Sequence, residues 1–347
     1  MEYSSRNGRL QAGLWLAATL SLTALWVRRQ AKKAEQKFPP VGKFLRIDGV
    51  RLHYIEYGTG PAVLLLHGNG TQVGDFAACG LIERLASRYR VIAIDRPGFG
   101  YSERPRDRLW TPKAQAGLIR QACVELGVHQ PVVVGHSFGT LVALALALDV
   151  PELVRGLVLV SGHYFPTLRL DAWLFSPPAI PVVGDIMRYT VSPILGKLML
   201  PGMLRRIFSP KVPGPSFFEH VPPPLTLRPW ELKASAEDAA FMISSAVAMS
   251  RRYREITQPV EIFAGTDDNF VAADKQSGRL HRQIGQSRLH LLPGEGHMLH
   301  YGRSGEIAEA IDLIATVEGL APSVTATKPL IAGERPQIAP APTRSGH

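Results

Sequence analysis

The segment Gly135-His136-Ser137-Phe138-Gly139 constrains this chain more than any other. An apolar run, Pro131 to Val134, precedes it, and a helix-forming run, Thr140 to Leu148, follows. A strand that turns at once into a helix forces its apical residue into strained backbone angles. The residues two before and two after must then be glycine, because a Cβ would collide with opposing backbone. The strain lifts the Ser137 hydroxyl clear of the sheet and aims it at a base and a substrate. Ser137 is therefore a candidate nucleophile on a sheet covered by helices.

Three further segments supply partners in chain order. His67-Gly68-Asn69-Gly70 follows the strand-like run Ala62 to Leu66. Acyl transfer develops negative charge on oxygen, which two backbone N–H groups stabilise. The amides of Asn69 and Phe138 are the expected pair, and the His67 side chain is expected to shape the loop. Asp95 to Ser102 follows Arg90 to Ile94; Asp95 precedes Ser137 in the chain and is read as holding this turn and its arginine. Pro259 to Ala264 reads as a buried strand running into Asp267-Asp268. Ser287 to Leu292 reads as another, followed by Pro293-Gly294-Glu295-Gly296-His297. His297 is the expected base, Asp268 or Asp267 the acid that orients it, Glu295 a surface carboxylate and His300 a weaker alternative base.

From about Phe44 to Thr316 the order of these motifs resembles the α/β-hydrolase fold superfamily. The resemblance implies a doubly wound, mostly parallel sheet with a helical cap insertion, and a Ser137–Asp268–His297 triad. In that family the acid sits three residues after the glycine ending its strand, which selects Asp268. Haloalkane dehalogenases and epoxide hydrolases of this fold carry aspartate where this chain has Ser137, so both chemistries are disfavoured. The expected reaction is hydrolysis of an ester, thioester or related acyl bond of an apolar small molecule or lipid. Acyl transfer, C–C hydrolysis or perhydrolysis with the same triad, and noncatalytic ligand binding are the alternatives.

The chain of 347 residues, 46% of them hydrophobic, is long enough for one large core. Helices are expected over Asp75 to Ser87, Thr111 to Gly127, Phe138 to Leu148, Ala272 to Gln283 and Ser304 to Thr316. The two cysteines, Cys79 and Cys123, lie far apart, and the eleven histidines show no metal-binding spacing. Neither metal nor cofactor is expected. The net charge of +10 is spread along the chain without a nucleic-acid motif, so no nucleic-acid partner is expected.

Leu10 to Val27 carries no charge. Eighteen helical residues span roughly 27 Å, just enough for a hydrocarbon core, so an uncleaved single-pass anchor is expected, with a buried or interfacial amphipathic helix as the alternative. Arg28, Arg29, Lys32, Lys33 and Lys37 outnumber Arg6 and Arg9, which places the enzyme on the cytoplasmic side. The resulting organisation is an anchor and basic linker over 1–37, core over 38–162, cap over 163–258, core again over 259–318, and a disordered tail over 319–347. Proline clusters interleaved with Trp173, Phe175, Met187, Met199, Met203, Phe208, Phe217 and Phe218 suggest that the cap forms an apolar roof.

Overall fold

The computed structural model describes residues 2–167 and 177–316. Short apolar runs, most rich in Val, Ile and Leu, become the strands of one eight-stranded sheet. These are β1 (Lys43–Ile47), β2 (Val50–Tyr57), β3 (Ala62–Leu66), β4 (Arg90–Ile94), β5 (Val132–His136), β6 (Gly156–Val160), β7 (Val260–Gly265) and β8 (Ser287–Leu292). Their spatial order is β1-β2-β4-β3-β5-β6-β7-β8. The β1–β2 and β2–β4 pairs are antiparallel, and every other pair is parallel. From β3 the chain moves outward to β4 and then returns to β5 on the opposite side of β3. The loops after β3 and β5 therefore diverge at the carboxyl edge, which is where a doubly wound sheet opens a crevice.

Alternate residues of each central strand serve opposite faces. Leu64, Leu66, Ile92, Ile94 and Val133 pack with α4 (Pro112–Glu125) and α5 (Phe138–Asp149). Val63, Leu65, Val91, Ala93, Val132 and Val134 pack with α3 (Leu81–Ala86) and α12 (His300–Ala315). Burying each such Val, Leu or Ile side chain contributes about 1.5–3 kcal/mol. Helix α5 is buried from Phe138 to Leu148, which accounts for its apolar sequence on all sides. Thr111 caps α4, its Oγ1 accepting from the Ala114 amide at 3.2 Å, a contact worth about 1 kcal/mol.

The helix expected over Asp75 to Ser87 is two helices, α2 (Gly74–Ala78) and α3. Gly80, at φ 72°, sits between them. The segment expected as a helix over Ala272 to Gln283 begins as a π-turn, Asp274–Gly278, and continues as α11 (Arg279–Gln283).

Between β6 and β7 lies a helical insertion comprising α6 (Val183–Tyr189), α7 (Val191–Phe208), α8 (Pro215–His220), α9 (Pro223–Thr226) and α10 (Pro229–Ser250). Proline opens α8, α9 and α10, where its missing N–H removes a donor that has no partner inside the helix. Of the apolar residues expected to form a roof, Phe208 and Phe217 are buried with Val221 and Met298. Met199, Met203 and Phe218 face outward. Trp173, Phe175 and the tail lie outside the described residues.

The expected membrane anchor, and with it the cytoplasmic orientation, is overturned. Among the described residues no helix is long and apolar enough to cross a membrane. Helix α1 runs from Glu2 to Lys37. Its uncharged stretch holds Gln11, Thr19, Ser21 and Thr23, and Arg28 and Arg29 come directly after it. Its later turns are committed to protein, because Val27, Ala31 and Ala34 are buried. Glu35 pairs with Arg228 at 3.0 Å, and the Arg28 guanidinium lies 5.0 Å from the Tyr189 ring centre. The same apolar letters that suggested a span thus serve in part to dock a helix on the insertion.

Candidate active site

The carboxyl end of β5 delivers Ser137 at φ 50° and ψ −117°. A non-glycine residue held there costs on the order of 1–3 kcal/mol. Close packing explains the flanking glycines. A Cβ on Gly139 would lie 2.1 Å from the Leu66 carbonyl oxygen, and one on Gly135 would lie 2.7 Å from the Gly139 carbonyl oxygen. The Ser137 amide donates to the Val160 carbonyl at 2.9 Å, and its own carbonyl accepts from Thr140 Oγ1 at 2.6 Å. The strained turn is held at both ends.

Parallel pairing of β7 with β8 brings the next two loops together at the same sheet edge. His297 Nε2 lies 3.0 Å from Ser137 Oγ, and its Nδ1 lies 2.8 Å from Asp268 Oδ2. Asp268 Oδ1 accepts from the Phe270 and Val271 amides at 2.7 and 2.9 Å. Burial works to raise the Asp268 pKa. The adjacent His297 and the two amides outweigh it and hold the carboxyl below its usual range. Asp267 is exposed and accepts from Thr266 Oγ1 instead. The geometry therefore brings Ser137, His297 and Asp268 into one hydrogen-bonded array and leaves Asp267 outside it.

The Asn69 amide stands on the loop after β3 and the Phe138 amide opens α5, and neither makes a hydrogen bond among the described residues. The Asn69 side chain donates to the Ser235 carbonyl at 3.1 Å, tying this loop to α10. His67 accepts from the Arg96 amide through Nε2 at 2.9 Å. Burial, reinforced by the Arg96 charge, pushes its pKa down to about 3, so it stays neutral and shapes the loop. Arg96 is fully buried. It donates to the His67 and Gly68 carbonyls at 2.9 and 3.0 Å and to Asp238 of α10 at 2.6 Å. Asp95 accepts from the Val73 and Tyr101 amides and sits 2.6 Å from His53 Nδ1.

Sequence reasoning missed a second buried cluster behind His297. His136 Nε2 donates to the His297 carbonyl at 3.2 Å. Asp75 accepts from Tyr301 at 2.7 Å and contacts His300 Nε2 at 3.2 Å, so His300 is turned away from Ser137. Burial opposes ionisation of Asp75, but His300 and Tyr301 hold its pKa down to about 2. Burial also keeps His136 well below the usual histidine range. Asp75, His136 and His300 offer ligand atoms within 4.8 Å of one another, a spacing that could hold a metal ion. His136 was visible inside the serine motif, but nothing local linked it to Asp75. Glu295, expected at the surface, is buried and pairs with Lys211 at 2.6 Å and Arg303 at 2.8 Å. Both cations come from neighbouring elements that its own loop does not reveal.

Residues 61–181 match the family model described as the alpha/beta hydrolase fold. A 2-hydroxymuconate semialdehyde hydrolase of Pseudomonas sp. (strain CF600) is 39% identical over 149 residues, 42% of this chain and 53% of that protein. Haloalkane dehalogenase 2 of Mycobacterium bovis is 33% identical over 148 residues, 41% of this chain and 51% of that protein. The chain thus spans about half the length of these two curated relatives. The crystal structure of a bacterial membrane phospholipase A superposes with TM-score 0.61 at 18% identity, covering 91% of this chain and all of that one.

Proposed function

We propose that this chain is a serine hydrolase of the α/β-hydrolase superfamily that cleaves an acyl bond of an apolar small molecule or lipid. The observation that carries the reading is the continuous path from Ser137 Oγ through His297 to Asp268, with contacts of 3.0 and 2.8 Å. In this mechanism His297 Nε2 takes the Ser137 proton as Oγ attacks the acyl carbon. Asp268 holds the Nδ1–H tautomer and stabilises the imidazolium that forms. The Asn69 and Phe138 amides receive the developing oxyanion. His297 returns the proton to the leaving group, and water activated by the same histidine then releases the acid from acyl-Ser137.

The serine apex argues against dehalogenation despite the dehalogenase relative, because displacing halide in this fold calls for a carboxylate there. Hydrolysis of a C–C bond is a second reading, favoured by the 39% identity to the 2-hydroxymuconate semialdehyde hydrolase. It uses the same three residues. The lipid side of the reading draws on the likeness in fold to the phospholipase.

The test is labelling of the full chain with a fluorophosphonate, followed by mass spectrometry of the modified peptide. Adduct on Ser137 that disappears in His297→Ala is the expected result. A folded protein that reacts at no serine overturns the reading. A series of p-nitrophenyl esters from acetate to palmitate then ranks acyl length, and a vinylogous diketone tests C–C cleavage.

A further inference from the structure

A cavity of about 430 Å³ lies between α1, the loop after β4 and the insertion helices. Ser137, Asp268, His297, Asn69 and Phe138 do not line it. Its wall carries six cationic side chains against two acidic ones, Glu35 and Glu103. The other acids that neutralise this region form ion pairs with those cations without lining the wall. Asp185 pairs with Arg188 and Arg106, Glu231 with Arg228, and Glu237 with Arg104 and Lys233. Asp238 pairs with Arg104 in the same way, so the cavity faces the cationic member of each of these pairs, whereas Glu35 and Glu103 line it together with their partners Arg228 and Arg51.

Three of these cations are withdrawn from solvent. The side chains of Arg104, Arg188 and Arg228 are 3%, 8% and 1% exposed. Buried guanidinium groups are costly unless all their donors are used. Arg188 Nε is buried and has no hydrogen-bond partner among the described residues. One donor of the Arg188 guanidinium is thus unused just behind the cavity wall that this side chain lines. Beside it, the Arg228 guanidinium lies 5.0 Å from the ring centres of both Tyr101 and Trp230. Those rings give the cavity a flat apolar side next to its cationic one.

We propose that this cavity is a binding site, separate from the Ser137 site, for a small organic anion. A carboxylate or phosphate monoester head is held by Arg188 with its cationic neighbours, because an arginine fork matches both groups. An aromatic or short apolar body lies against Trp230 and Tyr101. A volume near 430 Å³ is within the range of small-molecule pockets. Because its wall is drawn from α1, the core loop and α6 and α10, a bound anion joins all three parts. The assignment is independent of the hydrolytic reading.

The test is isothermal titration of full-length Ser137→Ala protein, in which no probe can be turned over at that serine. The probes are inorganic phosphate, phenyl phosphate and benzoate in low-salt buffer. Saturable binding of phenyl phosphate or benzoate, weakened at least tenfold by both Arg188→Met and Lys233→Met, is the expected result. These substitutions lie on different helices, so misfolding of one leaves the other decisive; retention of the far-ultraviolet circular dichroism spectrum identifies the folded variant. No saturable binding of any probe overturns the proposal, as does binding that survives the substitution in a folded variant. Inorganic phosphate binding as tightly as phenyl phosphate overturns the assigned ligand class.

Discussion

Replacing Asp268 by asparagine tests the proposed roles with almost no change of shape. Asp268 Oδ1 accepts from two backbone amides at 2.7 and 2.9 Å, and Oδ2 faces His297 Nδ1 at 2.8 Å. An asparagine that keeps its oxygen on the two amides must turn its NH₂ toward His297. Nδ1 then accepts, the ring proton moves to Nε2, and the nitrogen 3.0 Å from Ser137 Oγ can no longer take a proton. The flipped amide restores the tautomer but loses two hydrogen bonds and sets NH₂ against two N–H groups. At about 1–3 kcal/mol for each N–H left without an acceptor, that costs about 2–6 kcal/mol. The competent state is thus populated at about 3 × 10⁻² to 4 × 10⁻⁵, and the imidazolium also loses its counter-charge. The expected fall in kcat is about 10⁴-fold, or ~5.4 kcal/mol of barrier. Steady-state hydrolysis of a p-nitrophenyl ester reads it. Asp267→Asn, at an exposed residue bonded to Thr266, should change kcat less than about twofold. Retention of a tenth of kcat in Asp268→Asn, or the larger loss in Asp267→Asn, refutes the assignment.

Ser137→Ala and His297→Ala should each lower kcat by several orders of magnitude without loss of the folded circular dichroism spectrum, whereas near-normal turnover in either would remove that residue from the chemistry. Gly139→Ala places a Cβ 2.1 Å from the Leu66 carbonyl and 2.7 Å from the His67 carbonyl, both backbone atoms that cannot turn away. It should cost about 3 kcal/mol or more in urea unfolding, and a cost under about 1 kcal/mol would mean the elbow is not tightly packed. Burial pushes the Glu231 pKa up to about 7 from an ordinary 4.5, against the opposing pull of Arg228. The folded state then holds a proton that the unfolded chain releases, so this contribution is full below pH 4.5 and is lost as pH rises to 7. The loss is at most about 3 kcal/mol. The Tm of wild type minus that of Glu231→Gln should therefore fall across that window, and parallel pH curves would contradict the raised pKa.

The legibility of the chain tracks the range of the forces involved. Strands β3 and β4 were legible to the residue because a buried parallel strand writes its whole environment into a short apolar run, and the edge strand β8 also kept its expected bounds although only Ser287 and Leu292 of it are buried. The order Ser137, Asp268, His297 was legible because each stands on a loop directly after its own strand, and neighbouring strands carry those loops to one edge. Arg96 shows where such reading stops. Its carboxylate partner, Asp238, is 142 residues away in α10, and no local pattern encodes that pairing. The Asp75–His300 contact, spanning 225 residues, is of the same kind. Helix α1 is the sharper case, since hydropathy reports only that a segment avoids water and cannot name what replaces it. Val27, Ala31 and Ala34 are small or slender, which suits close approach of helices, and they recur at the three- and four-residue spacing of one helical face. In the sequence that spacing is interleaved with Arg28, Arg29, Lys32 and Lys33. Together these residues make a protein-facing stripe with a charged opposite face, which is the arrangement that docks α1 on the insertion.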